Sequence, residues 1–135
     1  MKKIQSFSFP NLSGDILHHS GHFFEIHGHY QGTLPVTIDF WAACPYDIIS
    51  SQSATGFPFP NEQIAYDRTP NVYTIELTND PNFVFEFFYP NSYYLQQGRI
   101  YIPPHLNYKP RNSNVHHQIF LKYDVPGKSL TSRLF

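Results

Sequence analysis

Apolar and polar residues alternate along this chain in short runs with a period of two. From Lys3 to Phe9, Phe7 and Phe9 fall on one side and Ser6 and Ser8 on the other. From His22 to Tyr30, Phe24, Ile26 and Tyr30 oppose Phe23, Glu25, His27 and His29. Between Val36 and Ala42, Val36, Ile38, Phe40 and Ala42 oppose Thr37, Asp39 and Trp41. Similar runs cover Asn71 to Thr78, Phe83 to Tyr89 and Val115 to Tyr123, with a short one at Arg99 to Ile102. Side chains on a pleated strand point alternately to its two faces, so a period of two predicts half-buried strands. The aromatic and β-branched residues in these runs favour that setting. The pattern predicts about seven or eight strands. In the Phe83 run both faces are largely apolar, which predicts a central strand covered on both sides.

The breaks between runs carry turn residues: Gly32-Thr33, Asn79 to Asn82, Pro90-Asn91-Ser92, Pro103-Pro104 and Pro110 to Asn114. The Asn79 to Asn82 break is short enough for a hairpin between antiparallel strands. No stretch sustains a helical period with caps. The expected fold is all-β: an antiparallel two-sheet sandwich with Greek-key or jelly-roll connections, with a closed barrel as the alternative. Residues 1–135 read as one β domain, with 124–135 as a tail or edge strand. Ser50 to Pro60 stands apart as a long polar loop ending in Phe-Pro-Phe-Pro, a type of segment that often carries binding.

Composition narrows the picture. Aromatics make up 18% of the 135 residues, too many for a disordered chain. Twelve prolines against seven glycines argue against a helical bundle, because proline breaks helix interiors. The net charge is only -1, which excludes a surface built wholly to grip nucleic acid. Charge is nevertheless split. Residues 1–88 hold three bases against nine acids, a formal -6, and residues 89–135 hold six bases against Asp124 alone, a formal +5. Two halves lying against each other would neutralise this; a self-complementary surface that builds a homo-oligomer is the sharper reading. The C-terminal bases lie beside tyrosines, as stacking on single-stranded nucleic acid requires, but the acidic first half opposes it. Cys44 is the only cysteine, so no intramolecular disulfide can form, and with no basic neighbour it reads as a buried structural thiol. No apolar run has the length of a signal peptide or a transmembrane segment, which predicts a cytoplasmic protein or one exported without a classical signal.

The candidate chemistry lies in histidines and tyrosines. His18, His19, His22, His27 and His29 fall within twelve residues, and His116 adjoins His117 in the last run. Glu25, His27 and His29 share one predicted strand face, so two imidazoles and a carboxylate are candidate metal ligands, with His105 or His116 as other donors. The same histidines would gain charge together below about pH 6.5. Paired carboxylates for a glycosidase would have to come from Asp39, beside Trp41, with Glu76 or Glu86. No glycine-rich phosphate loop and no Gly-x-Ser-x-Gly elbow occurs, so no cofactor is expected.

Tyr89, Tyr93, Tyr94, Tyr101 and Tyr108 lie within twenty residues, interleaved with Asn91, Arg99 and His105. Rigid aromatic faces with planar polar partners suit a sugar ring or another small polar ligand. Tyr89, Asn91, Tyr93, Tyr94, Arg99, Tyr101, His105 and Tyr108 are therefore the candidate ligand-binding residues. The expected function is a non-catalytic binding module for a carbohydrate or small polar ligand. The alternatives are a structural or assembly protein with a homo-oligomer or partner interface, and a metal enzyme using His27 and His29. The binding reading requires the tyrosine-dense stretch to lie on the surface.

Overall fold

A computed structural model describes residues 1–21, 23–45 and 58–122. Its elements, in chain order, are β1 (Lys2–Ser8), β2 (Leu12–Ser20), β3 (Phe23–Tyr30), β4 (Val36–Ala42), helix α1 (Glu62–Tyr66), β5 (Val72–Leu77), β6 (Asn82–Phe88), β7 (Tyr93–Leu95), β8 (Ile100–Ile102), β9 (His105–Pro110) and β10 (His117–Phe120). They form two four-stranded antiparallel sheets, ordered β1-β2-β3-β6 and β10-β9-β4-β5, and a small β7-β8 pair. Among the described residues neither large sheet closes into a barrel.

The alternation sets which face each strand buries. Phe24 and Ile26 on β3, Ile38 and Phe40 on β4, Phe87 on β6 and Ile119 on β10 all lie in one core shared by both sheets. Phe40 links them directly, its ring 5.5 Å from Phe83 and 4.9 Å from Phe85. Burying one such ring contributes about 1.5–3 kcal/mol. Gly14 and Gly28 face each other across β2 and β3. A Cβ on Gly14 would collide with the His27 carbonyl, and one on Gly28 with the Phe83 ring, so glycine is what lets Phe83 lie flat there.

Polar side chains tie the two sheets together. Gln5 on β1 donates from Nε2 to the Phe120 carbonyl (3.0 Å) and accepts at Oε1 from the Lys122 N–H (2.9 Å). It thus supplies both halves of a strand-like pairing between the ends of the two sheets. Asn71, fully buried just before β5, donates from Nδ2 to the Ala43 (3.0 Å) and Phe88 (2.9 Å) carbonyls. Its Oδ1 accepts from the Phe88 N–H (3.0 Å) and the Tyr73 hydroxyl (2.8 Å). Within the second sheet, Asp39 and Arg111, from the acidic and basic parts of the chain, form a two-pronged ion pair at 2.9 and 3.1 Å.

Two expectations are corrected. β6 lies at the edge of its sheet and is not central; Val84 on its outer face is 57% exposed. The Asn79 to Asn82 break is not a hairpin turn, because β5 and β6 belong to different sheets. Four elements escape the period-two pattern. β2 turns Leu12, Gly14, Ile16 and His18 inward, too mixed a set to register as an apolar face. β7 has only three residues. β9 is buried almost throughout and is bounded by prolines that read as turns. α1 has five residues, too few to show a period, although Asn61 caps it by accepting the Ile64 N–H at 2.8 Å. The expected tail at 124–135, His22, and residues 50–57 of the polar loop lie outside the described residues.

Candidate functional site

The outward face of the second sheet carries a row of side chains across three strands. Trp41 on β4 is paired with Asn107 on β9, which is paired with Gln118 on β10. Trp41 occupies the polar side of its strand's alternation, in line with Thr37 and Asp39, so the pleat turns its indole away from the core. The His116 ring leans over it at 5.7 Å. Opposite this row stands α1. Its position is held by the Cys44 N–H donating to the Ala65 carbonyl at 2.8 Å and by a small second core of Ala43, Phe59, Ala65 and Tyr93.

Between the row and the helix lies a cleft of about 530 Å³, lined by Trp41, Asn107, His116 and Gln118 on the sheet side, by Glu62, Gln63, Tyr66 and Asp67 on the helix side, and by Tyr93. That volume falls in the usual range for small-molecule sites.

A connected polar network fixes this region. The His105 Nδ1 lies 2.9 Å from the Pro103 carbonyl, which requires the proton on Nδ1 and leaves Nε2 as acceptor. The Tyr66 hydroxyl, 3.2 Å from Nε2, then donates to it. Tyr66 in turn accepts from Asn107 Nδ2 (3.0 Å) and from the Tyr93 hydroxyl (3.4 Å). Asn107 also donates to the Trp41 carbonyl at 3.1 Å. Burial holds the His105 imidazole below its ordinary pKa and pushes the Tyr66 and Tyr93 phenols up, so all three stay neutral near pH 7. Tyr66, Tyr93 and Asn107 of the lining are thus held by hydrogen bonds before any ligand arrives, which lowers the ordering cost of binding.

The sequence-predicted ligand residues separate in space. Tyr89 and Tyr108 are sunk in the main core, the Tyr89 ring tilted against Phe24 at 4.8 Å and Tyr108 donating to Asn11 Oδ1 at 2.8 Å. Asn91 is buried, its N–H on the Cys44 carbonyl at 2.9 Å and its Oδ1 accepting the Ser92 N–H at 2.8 Å. Tyr93 and His105 are buried in the network beside the cleft. Tyr94 is half-buried and packs edge-on against Tyr101 at 5.6 Å, while Tyr101 and Arg99 are exposed. The expectation of one continuous tyrosine surface is therefore corrected. The strand pairings of β9 and the second core draw most of these rings inward.

The cleft residues Trp41, Glu62, Gln63, Tyr66, Asp67, Asn107, His116 and Gln118 were not singled out as ligand contacts from the sequence. The signal for them is the lone tryptophan on the polar side of a strand. Cys44 is half-buried, its Sγ 3.4 Å from the Asp67 carbonyl, and burial pushes its thiol pKa up.

Glu25, His27 and His29 do share the outward face of β3, but they do not converge on one point. His27 Nε2 bonds Glu25 Oε1 at 2.8 Å, whereas His29 Nδ1 turns to Asn82 Oδ1 at 2.8 Å. His105 and His116 belong to the other sheet's side of the molecule. Asp39 is committed to Arg111, which holds its carboxyl below the usual carboxylate range, and Glu86 lies on the other sheet.

No known family, curated protein or solved structure matches this chain. Among the described residues no helix is long and apolar enough to cross a membrane.

Proposed function

We propose that this protein is a non-catalytic binding module, built on an antiparallel two-sheet sandwich, that takes a carbohydrate or similar small polar ligand in the cleft between α1 and the second sheet. The core shared by the two sheets supports the sandwich. The observation that carries the binding reading is the cleft's lining: an outward-facing indole beside two amides, Gln63 and Gln118, and two carboxylates, Glu62 and Asp67. The apolar face of a sugar ring stacks on the indole while its hydroxyls meet the amides and carboxylates. The two acids repel anions, so the ligand is neutral or cationic, and phosphorylated or sulfated sugars are excluded. Tyr93 and His105 keep a place in this reading as groups that set the walls. Tyr89, Asn91 and Tyr108 serve the fold.

The test is a panel of neutral mono- and oligosaccharides and amino sugars, screened by thermal shift and followed by calorimetry. At least one sugar is expected to stabilise the protein. Trp41→Ala is then expected to weaken binding by about 1.5–3 kcal/mol, the scale for burying a large apolar side chain, which is tenfold or more. Tyr101→Ala is expected to leave it unchanged. A panel without a single shift, or binding lost in Tyr101→Ala and kept in Trp41→Ala, defeats the proposal.

A further inference from the structure

The outward face of the first sheet carries a second chemistry. Across β3 and β6, Glu25 and Glu86 are directly paired. Like charges so placed repel and destabilise a sheet. Among the described residues neither glutamate has a lysine or arginine partner. Histidines stand there instead. The register of β2 against β3 slips between His18 and Ser20, so that His19 is the extra residue of a bulge. A bulge re-aims the side chain it carries, and one ligand atom each from His19, Glu25 and Glu86 lies within 4.8 Å of the other two. His27 bonds the Glu25 carboxylate at 2.8 Å, and that glutamate side chain is only 13% exposed.

We infer that His19, Glu25 and Glu86 form a binding site for a first-row transition-metal dication such as Zn²⁺. One imidazole nitrogen and two carboxylate oxygens from three adjacent strands match the donors such ions prefer, whereas Ca²⁺ and Mg²⁺ favour oxygen alone. Three protein ligands leave further positions to water or a bound molecule. The cation neutralises the opposed glutamates. His27 acts as the outer partner that orients the Glu25 carboxylate. The site is independent of the cleft, which lies on the other sheet.

The experiment is calorimetric titration of the purified chain with Zn²⁺, with Co²⁺ absorption as a readout of coordination. The wild type is expected to bind one ion at this site and to gain thermal stability. His19→Ala and Glu86→Gln are expected to lose that ion, and His27→Gln to bind about 10–100-fold more weakly. His116→Ala, beside the cleft on the other side of the molecule, is expected to keep it. The metal-free Glu86→Gln protein is expected to be at least as stable as the wild type, since one opposed charge is gone, so loss of metal cannot be put down to unfolding. The inference is overturned by a wild type that binds no Zn²⁺, by undiminished binding in both His19→Ala and Glu86→Gln, or by loss of the ion in His116→Ala.

Discussion

Asn71→Ala is expected to be among the most damaging single substitutions outside the aromatic core. Asn71 is fully buried, and its side chain makes four hydrogen bonds, to the Ala43 carbonyl, to both the N–H and the carbonyl of Phe88, and to the Tyr73 hydroxyl. Ala43 follows β4 in one sheet and Phe88 ends β6 in the other, so the amide spans the two. A neutral hydrogen bond contributes roughly 1 kcal/mol net, and a buried group left without a partner costs about 1–3 kcal/mol. Phe88 and Tyr73 are only half-buried, which keeps the total near the lower figure for each bond. The expected loss is about 3–4 kcal/mol, a large part of the roughly 5–15 kcal/mol that holds a domain together. Urea unfolding followed by the fluorescence of Trp41, the only tryptophan, measures it, with an unchanged slope showing that only stability moved. Asn71→Asp sharpens the test. It keeps an acceptor for the Phe88 N–H but sets a carboxylate against two carbonyls, so its folded pKa rises. It is therefore worst at neutral pH and recovers as the pH falls through that raised value and the acid gains a donor. Asn71→Ala within about 0.5 kcal/mol of the wild type, the scatter of an ordinary surface change, would refute the reasoning.

The remaining predictions concern the cleft's support and the packing of the sheets. Burial lowers the His105 pKa from its ordinary 6.5. The unfolded chain therefore takes up that proton first, and stability falls as pH drops below about 6.5. His105→Gln is expected to show a flatter pH–stability curve in that window, and curves of the same slope for both proteins would count against the neutral, Tyr66-bonded imidazole. Gly14→Ala forces a methyl group into the His27 carbonyl across the strand pair and is expected to cost about 1–3 kcal/mol, the usual scale of overpacking, measured as a shift in the urea midpoint. The Tyr73 phenol, pushed up to about 12 by burial, is expected to ionise well after free tyrosine in a native-state ultraviolet titration, and Tyr73→Phe to reduce the late amplitude by one phenol while Tyr66, Tyr93 and Tyr108, also raised by burial, still ionise late.

The eight histidines and the tyrosine run are the chemically distinctive parts of the chain, yet composition does not say which rings face outward. Tyr93 and Tyr108 sit in stretches bounded by proline and rich in polar residues, which look like surface. β9 is inserted between β4 and β10, and a strand in that position buries even its polar members, His105 and Asn107. The histidine face of β3 was legible, because alternation alone puts Glu25, His27 and His29 together. The approach of His19 and Glu86 to Glu25 was not, because Glu86 comes from a strand more than fifty residues away and His19 from a bulge that no local pattern marks.

Alternation along the chain is enough to give the β class, the bounds of β4, and the inward sides of β1, β3 and β4, because side-chain direction on a strand repeats every two residues wherever the strand is paired. Pairing partners, edge positions and the meeting of Trp41 with α1 were decided only by the tertiary structure. Those depend on contacts between residues far apart in the chain, and many different pairings of the same strands would satisfy the same local alternation.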